Sequence, residues 1–266
     1  MVILTKLFDP YDLKARLSPA LLVLAPALVV LVCKFGPQAT IGSATVSLLV
    51  TCGALFWLAR WARTAGVAVQ SKIWIRWGGT PTIRYLRHRE SSLDPVTIER
   101  YHGVLANGIN KTFPTSDEEA ADPEGADNLY KSGIKWLMEQ TRDPKKYSHL
   151  LKENIAYGFH RNMLGVKRTG IVLSVISLLA ALCWSGVIKV EAPFIEPSRF
   201  GDFTYANMLA VLVPLSALFL WIFAVTPLSM ERASDAYSER LLQSCEGLPK
   251  PPKKKPVKTK DNDLKD

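Results

Sequence analysis

"IGSATVSLLVTCGALFWLARWAR", residues 41–63, decides the fold. Its first nineteen residues carry no Asp, Glu, Lys, Arg or His, and the run ends on Arg60 and Arg63 with Phe56, Trp57 and Trp61 beside them. A helix needs roughly 20 mostly apolar residues to cross a bilayer, and aromatic and basic residues collect where it leaves the hydrocarbon. Residues 18–33, 169–188 and 206–226 are equally free of charge. Helices of a soluble core keep a polar stripe, and these blocks have none. The block at 18–33 is the shortest and contains Pro19 and Pro26.

Charge is distributed as unevenly as hydropathy. Residues 60–168 hold 18 Lys and Arg, and nine more follow Thr226; the loop after the first block has only Lys34, and the loop at 189–204 only Lys189 and Arg199. The positive-inside rule then puts both termini and the middle segment on the cytoplasmic side, with two short loops outside. The expectation is an all-α membrane protein with four transmembrane helices, arranged as two hairpins flanking a helical cytoplasmic domain. Its parts are an interfacial helix and first hairpin (1–63), the cytoplasmic domain (64–168), the second hairpin (169–226), a cytoplasmic helix (227–248) and a Pro- and Lys-rich tail (249–266) expected to be disordered.

Local signals refine this layout. "FDPYDLKARL" (8–17) reads as a short interfacial helix capped by Asp9, and "KFGPQATIG" (34–42) as the turn of a tight hairpin. The second span has a composition that lets it run on through "TAGVAVQSKIWIRW". Asp94-Pro95 and Asp143-Pro144 both read as an N-cap followed by a first-turn proline. "TSDEEAADPEGAD" (115–127) reads as an acidic solvated loop with at most one helical turn, and "NLYKSGIKWLMEQT" (128–141) as a helix.

Catalytic signatures are missing from this sequence. It lacks a phosphate loop, His-Glu-x-x-His and Gly-x-Ser-x-Gly, and its four cysteines and four histidines are scattered. No zinc spacing, metal site or cofactor is expected, and the chain does not read as an enzyme. The apolar blocks hold no ionisable residue, which argues against a proton-coupled transporter. They do hold small and hydroxyl residues. Thr45, Ser47, Thr51, Ser174 and Ser177 are candidate pore-lining positions, although close helix packing uses the same residue types.

One stretch remains, "WIRWGGTPTIRYLRHRES" (74–91). Seven Lys and Arg and no acid lie between Arg60 and Arg89. Anionic lipid accounts for Arg60 and Arg63 at about 1 kcal/mol each. The remainder interleaves bases with aromatic rings, the composition of a single-stranded nucleic-acid groove, where rings stack on bases and arginines follow phosphates. The candidate nucleic-acid residues are Lys72, Arg76, Trp77, Arg84, Tyr85, Arg87, His88 and Arg89. Gly78-Gly79 would allow close backbone approach to an anion. Lipid headgroups or plain surface remain the other reading.

In layout the chain resembles the membrane channel effectors of bacterial antiphage defence systems, that of the Hailong system in particular. The resemblance lies in "FDPYDLKARLSPALLVLAP" opening on a hairpin, in "GGTPTIRYLRHRESSLDP", and in a helical unit between two hairpins. It implies an oligomeric channel held shut by a single-stranded DNA oligomer, which a partner nucleotidyltransferase supplies. The expectation is therefore a homo-oligomeric ion channel gated by a cytoplasmic anionic ligand. The alternative is a membrane-anchored scaffold that recruits a cytosolic partner.

Overall fold

The computed structural model describes residues 11–38 and 40–248, so the expected Asp9 cap and the lysine-rich tail lie outside the described residues. The chain is helical, and no strand occurs among the described residues. It divides into two compact units, the first built from residues 11–82 and 144–240, the second from 83–143 and 241–248. Four helices are long and apolar enough to cross a membrane.

The first unit contains those four. A π-helical segment, Asp12–Leu17, runs without a break into α1 (Ser18–Phe35). It is thus a continuation of α1 and not the separate interfacial helix expected, because Tyr11, Leu17 and Ser18 all hold helical dihedrals. Helix α2 (Ile41–Arg76) starts at a Thr40–Ser43 capping box and continues for 36 residues, about 54 Å at 1.5 Å per residue. The extension beyond the apolar block was legible from composition. Helix α3 is short (Pro81–Leu86) and passes from the first unit to the second. Helix α7 (Ser148–Trp184) is equally long and unbroken. It begins after a turn, so Asp143-Pro144 does not cap it; Tyr147 occupies the N-cap and makes no side-chain cap bond. Helix α8 (Tyr205–Phe223) follows a loop, and α9 (Pro227–Gln243) closes the unit.

Packing differs from two self-contained hairpins. Helix α1 packs chiefly along α7 and α8, and α2 packs chiefly along α7. At the basic end, Ala20, Val23, Leu58, Ala62, Val166 and Trp221 form a core to which all four helices contribute. At the far end the core is Val30, Ala181 and Ala210, from α1, α7 and α8 alone. Lipid removes the hydrophobic drive for helix association, so close backbone approach and polar bonds must hold such a bundle. Both are present. A methyl built on Gly165 would lie 2.4 Å from the Gly66 backbone nitrogen, so α2 and α7 cross backbone to backbone. A methyl on Gly170 would lie 2.2 Å from the Trp221 ring. The Lys167 ammonium donates to the Ile222 and Val225 carbonyls at 3.1 and 2.7 Å, satisfying the end of α8.

In the second unit, α4 (Pro95–Ile109) begins at Asp94, whose Oδ1 accepts the Thr97 N–H at 2.9 Å, and ends on left-handed Asn110. The acidic stretch is not a loop. Thr115 and Glu118 form a capping box that starts α5 (Ser116–Ala121), and Asp122 caps α6 (Pro123–Gln140). Glycine and proline suggested a loop there, but both fall where caps and first turns tolerate them. Tyr101, His102 and Leu105 of α4 are buried, as are Tyr130, Ile134 and Leu137 of α6, and the two helices pack together.

Candidate functional site

The basic stretch is divided between the two units. Lys72 and Arg76 are exposed on the basic end of α2. Trp77 is half-buried against the cluster of Ile73, Tyr157 and Met230, which makes it part of the core and not an open stacking platform. Gly78 and Gly79 have φ of 73° and 143° and terminate α2. The Gly79 N–H returns to the Trp74 carbonyl at 2.9 Å and the Gly78 N–H to that of Ile75 at 3.2 Å. That pair of bonds is a Schellman cap, so the glycines serve helix termination.

In the second unit the arginines meet the acids of α5 and α6. The Arg87 side chain is only 4% exposed. Its Nε and Nη2 donate to the two oxygens of Asp127 at 2.9 and 2.6 Å, and its Nη1 to Glu90 at 2.8 Å. Arg89 donates to Glu119 at 2.7 Å and to Asp127 at 3.4 Å. Glu119, 1% exposed, also accepts the His88 N–H at 2.9 Å and the Tyr130 hydroxyl at 2.7 Å. Burial alone would raise the Glu119 carboxyl. The bonds from His88, Tyr130 and Arg89 outweigh burial and hold it below the usual carboxylate range. Asp127 follows the same logic, with Arg87 outweighing burial.

The phosphate-binding role expected of Arg87 and Arg89 does not fit this placement. Their planar forks hold carboxylates of the same chain, which is the geometry guanidinium suits best. The His88 ring is exposed, with Nε2 3.2 Å from the Pro114 carbonyl, and it meets His102 edge-on at 5.0 Å. His102 is buried and stacks on Tyr130. Its Nε2 lies 2.7 Å from the Leu86 carbonyl; a carbonyl only accepts, so Nε2 carries the proton. Burial pushes its pKa below the ordinary histidine value. Arg84 is half-buried, 3.7 Å from Glu90, and Tyr85 is half-buried with its carbonyl accepting from Ser91 at 2.8 Å.

The pore candidates also separate. Ser174 and Ser177 are buried and donate to the Gly170 and Leu173 carbonyls, each at 2.7 Å, so their hydroxyls are absorbed within α7. Ser47 and Thr51, with Ser43, line one wall of a groove of about 660 Å³ whose other wall is Leu31, Val32 and Phe35 of α1. Thr45 is exposed, and two residues of helical rotation turn it away from Ser47. The far half of α2 is otherwise uncovered, with Val46, Leu48, Leu49 and Val50 each 61–68% exposed.

A polar network at the basic end of the first unit had no motif to announce it. Asn162 is fully buried and donates to the Ala15 carbonyl at 2.7 Å. Gln70 Oε1 accepts from the Tyr157 hydroxyl at 2.7 Å and from Arg161 at 3.2 Å. The legible signal was a small-and-polar stripe, Gly158, Asn162 and Gly165, at helical spacing.

Among the described residues no group of three His, Cys, Asp or Glu is placed to hold a metal. No protein-family model, curated protein or solved structure matches the chain.

Proposed function

We propose that the protein is a homo-oligomeric membrane channel in which α2 stands nearest the pore and is controlled from the cytoplasmic side. The observation that carries this reading is the asymmetry of α2. Its basic half is pinned to α7 at the Gly66–Gly165 crossing, while its far half stands off the core and turns Ser43, Ser47 and Thr51 toward a groove that no other element of the described chain fills. Four helices cannot enclose an ion path alone. Copies arranged in a ring with α2 innermost would share a hydroxyl-bearing lumen between apolar walls, a construction that gates by wetting and dewetting.

The same helix offers the handle. Lys72 and Arg76 are exposed at the end of one continuous helix, so an anionic ligand bound there would act on a rod that passes the crossing and reaches the hydroxyl stripe. A nucleotide or short single-stranded oligonucleotide has the right charge. With Arg87 and Arg89 committed to Glu119 and Asp127, the phosphate contacts fall to Lys72 and Arg76. Antiphage defence, with a nucleotidyltransferase as partner, rests on the resemblance in layout alone.

Reconstitution tests the reading. Purified protein in liposomes should release trapped potassium, native mass spectrometry should give a ring of identical chains, and Lys72→Gln/Arg76→Gln should alter control without abolishing flux. A protein that forms no homo-oligomer and conducts in no condition, yet holds a cytosolic protein partner, is the scaffold instead.

A further inference from the structure

Where α2 leaves its apolar block, the Asp12–Leu17 segment and α2 enclose a second groove of about 480 Å³, wholly within the first unit. Three guanidinium groups, Arg16, Arg60 and Arg63, line it with one carboxylate, Asp12. Asp12 is already engaged by Nη1 of Arg16 at 2.5 Å. Arg16 Nε is buried without a hydrogen-bond acceptor, and the guanidinium lies over the Tyr11 ring, 5.5 Å from its centroid. Arg60 and Arg63 share a face of α2, are exposed, and make no ion pair among the described residues. The groove thus carries two net positive charges, and its two exposed guanidinium groups have no carboxylate partner among the described residues. The wall below it is apolar: Phe56, one turn before Arg60, is 70% exposed. The occupant must therefore place an anionic group among the arginines and a hydrocarbon portion along Phe56.

We propose that this groove binds the phosphate of an anionic phospholipid, with Arg60 and Arg63 holding the phosphate oxygens and Arg16 adding a third positive charge beside them. Basic recesses between helices at the headgroup level have the chemistry for such lipids, and guanidinium offers phosphate two parallel donors. A bound lipid would bridge the Asp12–Leu17 segment to α2 and brace the end of α1 against it. This site is independent of conduction and stands whether or not the chain forms a pore.

Native mass spectrometry of the full chain released from nanodiscs tests it, using phosphatidylglycerol and phosphatidylcholine as probes. The wild type should retain one phosphatidylglycerol per chain and no phosphatidylcholine. Arg60→Gln and Arg63→Gln should each weaken retention about fivefold, the loss of one basic contact near an anionic surface. Arg63→Lys keeps the charge without the fork and should fall between wild type and Arg63→Gln. Arg168→Gln removes an exposed arginine beside the third apolar block, outside the groove, and reports general surface attraction. If Arg168→Gln weakens retention as much as Arg60→Gln, or if retention is unchanged in Arg60→Gln/Arg63→Gln, there is no built site. If millimolar glycerol 3-phosphate displaces phosphatidylglycerol, the groove takes a soluble phosphate and the lipid assignment is overturned. Unchanged hydrogen exchange across α7 shows that each variant keeps the fold.

Discussion

Replacing Arg87 with alanine separates a structural arginine from a ligand-binding one. The substitution leaves Asp127, 18% exposed, without its two shortest bonds and with only the 3.4 Å contact to Arg89. Breaking a buried pair by removing one partner costs about 3–5 kcal/mol. Arg89 and partial hydration of Asp127 offset part of that, so the second unit should lose about 2–3 kcal/mol. A factor of ten corresponds to about 1.4 kcal/mol, so local opening should become roughly 30- to 150-fold more frequent. Hydrogen exchange followed by mass spectrometry in nanodiscs reads this directly, as faster exchange of the α4 and α6 amides with α7 and α8 unchanged. Arg87→Met/Asp127→Leu, which removes both charges, should recover much of the protection. If exchange in Arg87→Ala stays within threefold of wild type while oligonucleotide affinity collapses, Arg87 faces a ligand and the ion-pair account is wrong.

Other consequences follow from the same contacts. Gly165→Ala forces α2 and α7 apart at their crossing and should lower thermal stability in detergent by several degrees, whereas Gly53→Ala, with open space around it, should leave the monomer unchanged. Asn162→Leu removes the donor to the Ala15 carbonyl and should cost about 1–3 kcal/mol, seen as faster exchange confined to the Asp12–Leu17 segment. The second unit should also weaken in acid. Burial lowers the His102 pKa, so the unfolded chain takes up the proton first, and stability should fall as pH drops below about 6.5. Glu119 and Asp127 are held low in the folded unit, so a steeper loss should follow as pH falls below about 4.5 for Glu119 and about 3.8 for Asp127. His102→Phe should remove the first phase of the exchange-versus-pH profile and leave the second.

The four long helices were legible because a bilayer imposes length and apolarity directly on sequence. Helix starts were legible at Asp94, where cap and proline act locally, and not at Asp143, where the chain turns before α7 begins. Helix partnership was not legible. Nothing in residues 18–63 says that α1 prefers α7 and α8 to α2, because the contacts involved join residues distant in sequence, such as Gly158 against Ala15 and Asn162 bonded to the Ala15 carbonyl. The basic stretch misled for a related reason. Its bases read as a nucleic-acid or lipid-facing surface and the acids of residues 117–127 as a solvated loop, when opposite charge about 30–40 residues apart is also the signature of an internal network such as Arg87–Asp127 and Arg89–Glu119. The hydroxyls of Ser174 and Ser177 could not be told from those of Ser47 and Thr51 by composition. Only the placement of the helices separates a serine bonded to its own helix from one facing an open groove.

Thiol modification of α2 during bilayer recording tests the channel most directly. In a background lacking Cys33, Cys52, Cys183 and Cys245, the variants Ser47→Cys, Thr51→Cys, Ser174→Cys and Ser177→Cys each receive a water-soluble methanethiosulfonate. Reduced current on modification of Ser47→Cys and Thr51→Cys, with Ser174→Cys and Ser177→Cys silent, is the predicted result. Block at the α7 positions with silence along α2, or no current from any reconstituted oligomer, would contradict it.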